Sequence, residues 1–81
     1  MKIQLINGTF TPSESIDLLT QLLQVKIKFI ENKISKSHHE EDVKSKENKI
    51  IKLQNTISTL NEFVRNSNLD LKIESEINLV H

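Results

Sequence analysis

The chain contains no cysteine, alanine, tryptophan or tyrosine, and only one glycine, one proline and one arginine. Each absence closes a route. Without cysteine there are no disulfides to staple a small fold. With Gly8 as the sole glycine, no glycine-rich loop can cradle a phosphate. Three phenylalanines are the only aromatics, too few for a platform on which bases stack. Arg65 stands alone, and arginine supplies most bidentate contacts to base edges. The formal net charge is +0, so no global field gathers nucleic acid or an anionic membrane. No apolar run approaches the ~18 residues of a membrane span, and Lys26 and Lys28 interrupt the best stretch. No N-terminal stretch has the basic, apolar and small-residue succession of a secretory signal. These absences lead to the expectation of a cytoplasmic protein with no nucleic-acid or membrane partner.

What is present is aliphatic. Hydrophobic residues make up 36% of the chain, well above the ~20% below which disorder is expected. At 81 residues, one domain is the default. A single core of this size rarely contributes more than ~3–5 kcal/mol. Small folds supplement it with disulfides, metal or oligomerisation. The first is excluded and the second is poorly provided for, so oligomerisation is expected.

The order of elements reads strand, helix, helix, strand, an α+β arrangement. Lys2 to Asn7 is short and β-prone, with Ile3 and Leu5 on one face and Ile6 on the other. Asn7-Gly8 is expected to end it in a turn. Thr11-Pro12-Ser13-Glu14 is a helix start, with Thr11 as N-cap, Pro12 at the first helical position and Glu14 closing a capping box. The first helix should span about residues 12–35. A second capping box is offered by Ser37-His38-His39-Glu40, followed by the acids Glu40, Glu41 and Asp42 in a favourable first turn. The second helix should span about residues 38–66 and end at Asn66-Ser67-Asn68, where asparagine tolerates a left-handed cap. Residues 69–79 then alternate strictly between apolar and polar, as a strand with one wet face does.

The first helix carries two apolar seams where a helical hairpin needs one. Ile16, Leu19, Leu23, Ile27, Ile30 and Ile34 form the first. Leu18, Leu22, Val25 and Phe29 form the second, centred roughly 130° away. The second helix shows a heptad of Val43, Ile50, Ile57 and Val64 with Leu53 and Leu60, which matches the first seam and predicts an antiparallel hairpin. Ile51 and Phe63 fall outside that heptad. Lys26 and Lys33 sit between the two seams of the first helix. They either snorkel out along their stems or pair with acids of a partner. Short connections make the terminal strands antiparallel to each other. Two strands alone make a poor sheet, and the longer C-terminal strand leaves an edge to spare. A second chain is expected to complete it, with a two-fold dimer as the favoured form. The candidate interface is Leu18, Leu22, Val25, Phe29, Ile51, Phe63, Ile73 and Ile77.

Chemical signatures are weak. His38 and His39 point about 100° apart on a helix and do not form an i,i+4 metal pair. Glu40, Glu41 and Asp42 lack the cleft that would separate their pKa values for acid–base work. Serine and threonine are plentiful, but no nucleophile-elbow motif surrounds them. Lys44, Lys46, Lys49 and Lys52 project around the second helix rather than along a stripe. No catalytic, cofactor or metal site is expected. The expectation is a self-associating structural or scaffolding protein. The alternative is an adaptor that captures a different protein through the second seam or the edge of the C-terminal strand.

Overall fold

The structure, a computed structural model, describes residues 1–36 and 39–81. It contains β1 (Lys2–Phe10), α1 (Pro12–Ile34), α2 (Glu40–Arg65) and β2 (Leu71–Asn78), with the strands paired antiparallel as a two-stranded ribbon. The strand-helix-helix-strand α+β arrangement is therefore the fold.

The start of α1 follows local chemistry. The Thr11 backbone N–H donates to Glu14 Oε1 at 2.9 Å, and the Glu14 N–H donates to Thr11 Oγ1 at 3.2 Å. This reciprocal box satisfies two backbone donors that the first helical turn leaves over. Only Thr11 separates β1 from α1, so the box also fixes the angle at which the ribbon leaves the helix. The start of α2 is less furnished. His39 occupies its N-cap position and makes no side-chain capping bond. The capping box expected at Ser37–Glu40 and the metal candidacy of His38 fall on Ser37 and His38, outside the described residues.

The two helices meet along the matched seams. Ile27, Ile30 and Val64 are buried, with Val64 only 1% exposed. Leu19, Leu23, Val43, Ile50, Leu53, Ile57 and Leu60 are half-buried beside them. Glu40 and Lys44 form an i,i+4 ion pair at 3.7 Å, on the surface. At the far end of α2, Asn66 is in the right-handed helical conformation, with φ −81°. The left-handed asparagine cap expected there is not used. The Asn66 and Ser67 N–H groups instead donate to carbonyls of the last turn.

The ribbon differs from expectation in three ways. Asn7-Gly8 does not end β1, which continues to Phe10 with Gly8 opposite Ile73. Gly8 has no positive φ, so its freedom is not spent on a turn. A Cβ at Gly8 would lie 3.4 Å from the Phe10 ring. Second, the register shifts between Gln4 and Ile6. Leu5 is the extra residue of a β-bulge, and the period of two is broken there. Ile3 and Ile6 consequently pair with Ile77 and Ser75 and share one face, instead of lying on opposite faces. Third, the strands match in length, so β2 is paired from Leu71 to Asn78 and has no overhang. Pairing runs on to the first residue. The Leu79 N–H donates to the Met1 carbonyl at 2.7 Å, and the Met1 amino group donates to the Leu79 carbonyl at 3.0 Å.

The body measures 46 × 32 × 13 Å. Packed helices stand about 8–10 Å apart, so the 32 Å breadth comes from the ribbon running out to the side of the hairpin. The radius of gyration is 15.3 Å, against about 12 Å for a compact domain of this length.

Candidate functional site

The ribbon joins the open end of the hairpin, where Phe10 lies beside Leu18 of the second seam and β2 passes Leu19, Leu60 and Val64 of the hairpin seam. Leu18 and Leu22 are half-buried there. Phe10, at the end of β1, shares a shallow hollow with Glu14 and Leu18. Further along the same seam, Val25 is 67% exposed and Phe29 60% exposed. The seam is thus half-buried at Leu18 and Leu22 and bare about one turn further on, at Val25 and Phe29.

The remaining candidate residues divide. Phe63 lines a hollow with Leu19, Leu60, Leu71 and Ile73, where β2 passes the end of α2. It is still 63% exposed. Ile51 stands apart from this group, turned about 120° from Phe63 by the twelve-residue spacing, and is half exposed. Ile77 points to the same ribbon face as Ile73 but lies toward the free end. Burial is lower in that direction. Ile6 is buried, whereas Ile3, Leu5, Ile77, Leu79 and Val80 are all exposed. Of these, only Ile77 is in the expected interface. The others escape notice in the sequence because the alternation of a half-buried strand does not say how far its cover extends.

A second feature comes from the hairpin register. Lys26, Ile30, Lys49, Lys52 and Leu53 line one shallow hollow, and Lys26, Phe29, Ile30, Lys33, Lys46 and Lys49 line its neighbour. The Lys33 ammonium lies 4.8 Å from the centre of the Phe29 ring, within cation–π range. Lys46, Lys49 and Lys52 therefore share one side of α2, in contrast to the scatter expected from the sequence. Lys44 faces elsewhere and pairs with Glu40. The i,i+3 spacing of Lys46, Lys49 and Lys52 carries the signal within one helix. Their union with Lys26 and Lys33 needs the antiparallel pairing.

No family model, curated protein or solved structure matches the chain.

Among the described residues, no group of three His, Asp or Glu side chains is placed to hold a metal ion, and no helix is long and apolar enough to cross a membrane. The chemistry on offer is adhesive: bare aliphatic and phenylalanine surface, a lysine-rimmed hollow and two unpaired ribbon edges. The surface area is its measure. The chain exposes 6613 Å², whereas a compact monomer of 9.4 kDa exposes about 5,000 Å². The excess of about 1,600 Å² is twice the ~800 Å² that a standard protein interface takes from each partner.

Proposed function

We propose that this chain is a self-associating structural or scaffolding protein, a homodimer in its simplest form, with no catalytic step of its own. The observation that carries this reading is the excess accessible surface, which includes bare large apolar side chains such as Val25, Phe29, Ile51, Phe63 and Leu69. A core with so few buried large side chains leaves little stability to a lone chain, and a second chain supplies the missing cover. The cytoplasm is part of the same proposal, and the absence of cysteine is compatible with a reducing compartment. So is the lack of nucleic-acid partners, for which the neutral charge and scarce aromatics speak. Sedimentation equilibrium across the micromolar range tests it. A dimer or larger closed assembly is the expected result, and a folded monomer throughout overturns the proposal.

A second reading, as an adaptor for a different protein, is favoured by one observation. Phe29 and Phe63 stand exposed, and aromatic anchors are enriched where partners bind tightly. Affinity purification from native cells separates the two readings: recovery of the chain alone supports self-assembly, and a stoichiometric second protein supports the adaptor.

A further inference from the structure

Resting on the self-association reading, we propose that two copies pair β2 against β2 about a two-fold axis at Ile73, making one antiparallel sheet of both ribbons. The hydrogen-bond pattern of the ribbon is the first argument. The Met1 amino group donates to the Leu79 carbonyl and the Leu79 N–H to the Met1 carbonyl, so these two residues form a hydrogen-bonded pair of the ladder. Opposed pairs alternate between hydrogen-bonded and non-hydrogen-bonded. Along β2, Ile77, Ser75, Ile73 and Leu71 therefore turn their backbone groups toward β1. Asn78, Glu76, Glu74 and Lys72 turn theirs outward, to an edge on which no third strand lies among the described residues. The outer edge of β1 is interrupted by the bulge at Leu5, a device that bends a strand and blunts its edge. The edge of β2 has no such break and is the one open to another strand.

Charge selects the register. Outward residues must meet outward residues, so the two-fold axis falls on a residue. An axis at Lys72, Glu74 or Glu76 sets that side chain against its own copy. An axis at Ser75 sets Glu74 against the partner's Glu76, twice. An axis at Ile73 sets Lys72 against the partner's Glu74 and Glu74 against the partner's Lys72. Lys72 and Glu74 already pair along β2 at 3.1 Å, with both side chains largely exposed. The axis at Ile73 joins the two pairs into a ring of alternating charge, and a network holds more than an isolated surface pair. Asp70, which precedes β2, meets the partner's Glu76 and ends the ladder there. The opposite face agrees. Side chains alternate across a strand, so Leu71, Ile73 and Ser75 share the face on which Ile6 is buried. The axis sets Ile73 on the partner's Ile73 and Leu71 on the partner's Ser75. Edge pairing thus joins charge to charge on one face and aliphatic to aliphatic on the other.

The test uses two full-length chains, one carrying Lys72→Glu and the other Glu74→Lys. Each alone sets like charges opposite each other at both contacts, and each is expected to self-associate at least about tenfold more weakly than the natural chain. Mixed one to one, an acidic row meets a basic row, and the mixture is expected to regain association. Circular dichroism of each variant checks that the helices persist. Because the chain lacks cysteine, single cysteines give an independent reading of the register. Opposed residues at a non-hydrogen-bonded position have Cα atoms about 4.5 Å apart, within reach of a disulfide. Ile73→Cys is expected to link to its own copy under mild oxidation faster than Glu74→Cys or Ser75→Cys. Faster linkage through either of the other two overturns the axis at Ile73. Wild-type dimers with neither mixed-charge rescue nor a link through Ile73→Cys overturn the edge pairing while leaving self-association intact. A wild-type chain that is monomeric throughout overturns both proposals.

Discussion

Single residues show how little slack this chain has. Ser15 is completely buried, and its hydroxyl donates to the Thr11 carbonyl at 2.9 Å, so its burial is compensated. Thr20 is not so placed: its Oγ1 is buried without a hydrogen-bond partner. An unsatisfied buried hydroxyl costs about 1–3 kcal/mol. Thr20→Val keeps the shape and removes the polar atom, so a gain of about 1 kcal/mol is expected. Urea unfolding at one fixed protein concentration measures it, and a loss of stability would show that the hydroxyl is bonded in the assembled protein. Thr11 has the opposite role. Thr11→Ala removes the acceptor of the capping box and should cost about 1 kcal/mol by the same measurement.

At the scale of the element, the helices were legible and the ribbon only partly so. Thr11, Pro12 and Glu14 announced the start of α1 because capping chemistry is local. The matched seams announced the hairpin because a period of 3.6 is maintained over many turns. Gly8 misled, since Asn-Gly is a turn signal in the absence of a partner strand. Pairing with Ile73 overrides that local preference. The bulge at Leu5 could not be read at all, because register is a property of two strands together. The extended backbone at Gly8 makes a further expectation. Its φ suits any residue and only the edge of the Phe10 ring is close. Gly8→Ala should therefore stabilise the protein by about 0.5 kcal/mol, through a less disordered unfolded chain. Thermal unfolding of the variant checks it; destabilisation would mean that the ring cannot shift. The apolar stripe from Leu18 to Phe29 was legible in the sequence. Which half of it stays bare is tertiary information. The lysine hollow was invisible for the same reason, since half of its rim comes from each helix.

At the scale of the whole molecule, shape outweighs any single contact. A radius of gyration of 15.3 Å describes an open, flat body rather than a closed one. If assembly supplies the missing cover, unfolding is coupled to dissociation, and stability then depends on concentration by mass action. The melting temperature should rise by several degrees over a hundredfold increase in protein concentration, as seen by calorimetry. A midpoint independent of concentration would mean that the monomer is self-sufficient.

The 13 Å depth has a consequence for amide hydrogen exchange. A body this thin has almost no position more than one side chain from water. Among the described residues, only Ile6, Ile27, Ile30 and Val64 are buried large apolar residues, so the lone chain should open readily and exchange most of its amides early. Slow amides would then report the company the chain keeps. Their positions, mapped as concentration rises, would trace the footprint of the second body on the first.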